Sequence, residues 1–175
     1  MYVANLIAIH RWLSQRAENI LALLLFSMFV TFLLQIVFRY LLSLPIGWTV
    51  EWVSIAWVWG ILFGYAFVVR ETDVIRLDVL YSSVPRNVRR VFDVITGLTI
   101  ATIFAWTLPA SWDYVDFMKI ERTAYLRIPF NIVFAIYIPF ALAVIVRGLM
   151  TAWAGISGRG PQFDTEASAE SHDYD

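Results

Sequence analysis

"WTVEWVSIAWVWGILFGYAFVV", Trp48 to Val69, runs for 22 residues with one charged side chain, Glu51. About 20 apolar residues rising about 1.5 Å each cross the hydrocarbon of a bilayer. This stretch is therefore a membrane span, and it has company. "ILALLLFSMFVTFLLQIVF" covers 20–38, "VFDVITGLTIATIFAWTLPA" covers 91–110, and "IPFNIVFAIYIPFALAVIV" covers 128–146. Four runs of that length predict an all-α integral membrane protein with four transmembrane helices at about 20–38, 48–69, 91–110 and 128–146.

Composition agrees. Of the 175 residues, 60% are hydrophobic and only 15% charged, where soluble domains sit near half apolar and a quarter charged; mean hydropathy is +0.69. A net charge of −1 gives no footprint for nucleic acid. With no cysteine, disulfides, thiolate chemistry and thiolate-ligated metals are excluded. The first run is too long for a signal-peptide core and no small-residue cleavage site follows it, so it is expected to stay.

Orientation follows from Lys and Arg in the flanks. Arg11, Arg16, Arg70, Arg76, Arg86, Arg89, Arg90, Arg147 and Arg159 fall on one side, and Arg39, Lys119, Arg122 and Arg127 on the other. Nine against four places both termini in the cytoplasm. Trp12 and Trp153 at one interface, and Trp48 and Trp112 at the other, fit the aromatic belts. Residues 1–17 and the stretch after helix two, where Val74, Leu77 and Leu80 recur at helical spacing, read as amphipathic pieces lying in the inner headgroup layer. Residues 18–150 form the transmembrane domain. The segment 151–175, with five acids after Ser157, reads as a disordered cytoplasmic tail.

The chemistry is mostly absence. His10 and His172 lie outside the spans, so paired axial haem ligands within the helices are ruled out. No phosphate-binding glycine loop, metal-ligand set or nucleophile–base pair is present. Neither enzyme activity, cofactor, metal nor a substrate site is expected in this chain. A carrier of charged solute needs ionisable groups near the bilayer midplane, and the two in the spans, Glu51 and Asp93, both stand near a helix end. Asp93 follows Arg89 by four residues, a spacing suited to a salt bridge.

Glu51 falls in the first turn of helix two, where unpaired N–H groups and the helix dipole favour a carboxylate. Arg39 ends helix one across a short turn with Pro45 and Gly47, so an Arg39–Glu51 pair beside Trp48 is expected at the outer interface. Ala56, Gly60 and Gly64, then Gly97, Ala101 and Ala105, recur every four residues on helices two and three. Such spacing lets helix backbones approach, with these two helices packing on each other as the simplest outcome and docking on another subunit as the alternative.

In order and spacing the chain resembles the small membrane subunit (DctQ-type) of tripartite ATP-independent periplasmic (TRAP) transporters. The resemblance rests on "VFRY" ending helix one, "WTVEW" opening helix two, "WGILFGYAFVVRETDVIRLDVL", "VPRNVRRVFD" and "YLRIPFNIVFAIYIPFALAVIVRGL", and covers about Ile20 to Leu149. The family's Trp-x-x-Glu falls on Trp48 and Glu51, its Arg on Arg39, its Arg-x-Asp on Arg76 and Asp78, and its Ile-Pro on Ile128 and Pro129. Val50 stands where a second acid is common, and Val74 where a histidine is common.

The resemblance implies a subunit of the bacterial inner membrane that enlarges the scaffold of a large multi-spanning transport (M) subunit. A periplasmic solute-binding (P) protein would deliver an organic acid or similar solute, and a sodium gradient would drive uptake. Arg39, Trp48 and Glu51 would serve the outer face, and Arg76, Asp78, Arg86, Arg89 and Arg90 would anchor the inner face to lipid or partner. The rival reading is a small homodimeric exporter that works around Glu51.

Overall fold

The computed structural model describes residues 2–44, 46–69 and 85–157, with side chains from Trp12 onward apart from that of Arg86. Its elements are α1 (Tyr2–Ile36) ending in a π-helical turn (Val37–Leu41), then α2 (Trp48–Phe63) ending in a second π turn (Gly64–Val68). There follow α3 (Arg86–Phe117) with a 3₁₀ turn (Met118–Ile120), α4 (Phe130–Ala135) and α5 (Tyr137–Ser157). Among the described residues there is no strand, only an isolated bridge between Arg122 and Pro129. Four stretches are long and apolar enough to cross a membrane: Trp12–Leu41, Trp48–Val68, Asn87–Ile120 and Phe130–Ser157.

Every span matches an apolar run, but three overrun it. Residues 2–17 run into the first span as one helix. No Gly or Pro interrupts Tyr2–Ile36, so nothing breaks the ladder and α1 continues for 35 residues, about 52 Å. Helix three passes Pro109 and continues to Phe117. The last helix runs to Ser157, so Arg147, expected at its flank, is followed by ten further helical residues. Hydropathy fades at these ends before helical hydrogen bonding does. The amphipathic stretch after helix two, Arg76 and Asp78 included, and the tail beyond Ser157 lie outside the described residues.

The chain divides into two compact units, one within Met1–Val69 and Ala110–Phe140, the other within Arg70–Pro109 and Ala141–Asp175. In the first, α1 and α2 form an antiparallel hairpin. A Cβ on Gly60 would stand 3.3 Å from a Leu24 methyl, and one on Gly64 3.3 Å from a Leu21 methyl; Ala56 and Thr31 are buried with them. The hydroxyls in this layer stay on their own helix, Thr31 Oγ1 donating to the Ser27 carbonyl at 2.8 Å and Ser27 Oγ to Leu24 at 2.8 Å.

In the second unit α3 meets α5 along small residues on both sides. A Cβ on Gly97 would collide with the Gly148 carbonyl and stand 2.7 Å from the Ala152 nitrogen, and one on Gly155 2.9 Å from the Arg90 carbonyl. Ala141, Val144, Gly148, Ala152 and Gly155 are the buried positions of α5, spaced by three and four as a helix–helix seam requires. Lipid tails are as apolar as leucine, so close backbone approach and dispersion hold such a seam.

The two small-residue stripes thus have partners other than the simple pairing of helix two with helix three. Gly60 and Gly64 back onto α1, and Gly97 and Ala101 onto α5. Ala105, the last member of its stripe, is exposed. We expect Gly97→Leu to destabilise the protein by about 1–3 kcal/mol or more through overpacking against backbone, while Ala105→Leu leaves it unchanged. Thermal unfolding in mild detergent, followed by size-exclusion chromatography, distinguishes the two.

Candidate functional site

The α1–α2 hairpin turns through Ser43, which takes a left-handed φ of 51°, and Leu44 N–H closes the turn on the Phe38 carbonyl at 2.9 Å. Gly47 caps α2 without a side-chain bond, and the first turn is stitched by Thr49, whose fully buried side chain donates to the Ile46 carbonyl at 3.1 Å. One turn in, Glu51 points away from its own helix end. Its two oxygens accept the backbone N–H groups of Tyr125 and Leu126, each at 2.9 Å, with the Thr123 hydroxyl and the Ala124 amide close to the same carboxylate.

Those amides sit at the tip of a closed loop between α3 and α4. Phe130 N–H donates to the Glu121 carbonyl at 3.1 Å and Thr123 N–H to Ile128 at 3.0 Å, while Ile128 N–H donates to Thr123 Oγ1 at 3.0 Å. Arg127 turns the chain with a φ of 53°. Successive amides aimed at one point make an anion-binding concavity, and the carboxylate fills it with charge-assisted bonds. The Tyr125 ring lies over Gly47, where a Cβ would meet it and the ring would have to shift. A second tie joins the same elements, the Trp59 indole N–H donating to the Val133 carbonyl at 3.0 Å.

Arg39 does not pair with Glu51. The register set by Gly60 against Leu24 and Gly64 against Leu21 puts Glu51 level with residues 33–34 of α1. Arg39 lies five or six residues further along, about 8 Å past the carboxylate. It is exposed, and Trp48 beside the turn is 39% exposed. At the other end of the chain's spans, Arg89 and Arg90 begin α3, both partly buried, and Arg86 lies in the first turn. Asp93 is buried, with Gly155 against its Cβ.

The sequence marks Glu51 but not what it holds. Its partners lie 74 and 75 residues away and are main-chain groups, which carry no residue signature. Gly148, Ala152 and Gly155 keep a helical spacing, but they follow Arg147, where the apolar run has ended. Trp59, Tyr125 and Gly47 gave no separable signal in so aromatic a chain.

Chemically the site is a structural anion socket already occupied by the chain's own carboxylate. An apolar groove between α1 and α2, lined by Met28, Phe29, Phe32, Val53, Trp57 and Val58 with Ser54, offers no polar group either, since Ser54 Oγ donates to the Val50 carbonyl at 2.9 Å. Among the described residues no three acids or histidines stand together as a metal site. A family model described as "Tripartite ATP-independent periplasmic transporters, DctQ component" matches residues 28–158. No curated protein matches the chain. Replacing Glu51 by Gln puts an NH₂ against an N–H donor, so exchange of the Tyr125 and Leu126 amides should accelerate roughly tenfold or more. Arg39→Gln should leave both amides as protected as in the parent, and hydrogen exchange read by mass spectrometry checks the pair.

Proposed function

The chain belongs to the DctQ component family of tripartite ATP-independent periplasmic transporters, and from that premise we propose that it scaffolds the large multi-spanning subunit during sodium-driven uptake of an organic acid or similar solute. In this reading the chain sits in the bacterial inner membrane with both termini in the cytoplasm, and a periplasmic binding protein delivers the solute on the Glu51 side.

One observation supports the scaffold role above the others: the single acid at the start of α2 is consumed by two backbone amides. A transport residue must exchange its ligand during a cycle, whereas Glu51 secures a loop that closes one end of α3 and α4. The homodimeric exporter built around Glu51 loses its working group on the same observation. Asp93 and Arg147, two further ionisable groups within the spans, fall in the stretch packed by small residues, which suits a fixed helix pair better than a gate.

In the same reading Arg39 and Trp48 belong to the outer surface, and Arg86, Arg89 and Arg90, with Arg76 and Asp78, meet lipid headgroups or the partner on the cytoplasmic side. Substrate and sodium sites fall to the large subunit. Affinity purification of the tagged chain from its native membrane should recover that large polytopic partner. Reconstituted with it, Glu51→Gln should keep the sodium dependence of uptake while lowering the amount of intact complex. Recovery of the chain alone as a stable homodimer, or a changed sodium dependence, overturns the proposal.

A further inference from the structure

The loop that receives Glu51 is shaped by bonds of its own. Phe130 N–H donates to the Glu121 carbonyl and Thr123 N–H to that of Ile128. Ile128 N–H donates back to Thr123 Oγ1, and Arg122 bridges to Pro129. Arg127 adds its left-handed turn, and Thr123 is buried. The helices that flank the loop meet through the rings of Tyr114 and Phe134. None of these contacts uses Glu51.

The donors are therefore aimed without help from their acceptor. Tyr125 and Leu126 each hold one carboxylate oxygen at 2.9 Å. The Thr123 hydroxyl, already accepting from Ile128, has its own proton left to donate to the same group. Two amides placed for the two oxygens of one planar group suit a carboxylate better than a round anion such as chloride. Charge supports the choice, since the loop carries Arg122 and Arg127 against Glu121, all three exposed. Beyond its Cβ, Glu51 contributes one methylene and the carboxylate, atom for atom the frame of an acetate ion.

We propose that the 121–129 loop is a preformed carboxylate receptor, in which Glu51 is the tethered ligand and a free carboxylate the size of acetate is a competent substitute. The tether gives Glu51 an effective concentration on the order of millimolar or above, so the parent socket stays filled and indifferent to carboxylates in solution. Glu51→Ala removes what acetate can replace and no more. Formate leaves a gap of one carbon, and propionate adds a methyl that meets the alanine Cβ.

The test uses the full chain in mild detergent at neutral pH, with hydrogen exchange resolved to single amides. In Glu51→Ala the Tyr125 and Leu126 amides should exchange roughly tenfold faster than in the parent, while those of Thr123 and Ile128 stay protected. Saturating acetate should slow the two freed amides at least about threefold, with half the effect on the order of 10 mM. Formate and propionate should act more weakly, and chloride at equal ionic strength should do nothing. Neither the parent nor Glu51→Gln, whose side chain still fills the socket, should respond to acetate. Loss of Thr123 and Ile128 protection in Glu51→Ala, or a variant that no longer folds, overturns the proposal, because the loop then takes its shape from Glu51. An acetate effect that chloride reproduces overturns it too, as does no acetate effect at all. Each of these outcomes leaves the family membership and the proposed scaffold role standing.

Discussion

A bilayer interior has no water to offer, so each backbone N–H and C=O within it must find a partner in the protein. This constraint explains both the four helices and the placement of their few polar side chains. At two places where the helical ladder stops, a side chain supplies a bond. Pro139 cannot donate to the Ala135 carbonyl, and the last span breaks there at Ile136 between α4 and α5. One turn earlier the Val133 carbonyl takes the Trp59 indole N–H. At the loop between α3 and α4 the exposed main chain turns its amides to Glu51. An indole donor and a carboxylate acceptor thus serve as replacement parts for the helix ladder.

Packing follows a second rule with the same origin. Helices in lipid gain nothing by hiding leucine from leucine, so adhesion comes from closeness. The α3–α5 seam takes this to its limit, with Gly97 over the Gly148 carbonyl and Gly155 over the Arg90 carbonyl. The α1–α2 pair is looser, glycine against leucine methyls. Large apolar side chains are displaced outward as a result, Trp57, Trp106 and Trp153 among the exposed ones, where lipid or a partner subunit covers them.

The ionisable groups are spent on architecture. An acid in a membrane helix is ordinarily a functional residue, and Glu51 is one in an architectural sense: it organises a loop. The scaffold role proposed above calls for rigid ends and broad apolar faces. The latch supplies the first and the outward aromatics the second.

Composition and run length by themselves determined the four spans, because a 30 Å apolar slab imposes a length that 20-residue runs reveal without further information. Spacing alone also identified Glu51 as lying near a helix end, and the order of "VFRY", "WTVEW" and the inter-helix motifs was enough for the family. Where each helix stops was not legible, since Asp113, Asp116 and the residues after Arg147 extend helices past the apolar limit by hydrogen bonding alone. Nor was any partner. Small-residue stripes say that a backbone approaches but not whose, and the register that sends Gly64 to Leu21 and Gly97 to Gly148 is settled by all the contacts at once. The same register carries Arg39 past Glu51 and leaves the carboxylate to two main-chain amides, a choice that no pairing of side-chain types along the sequence could express.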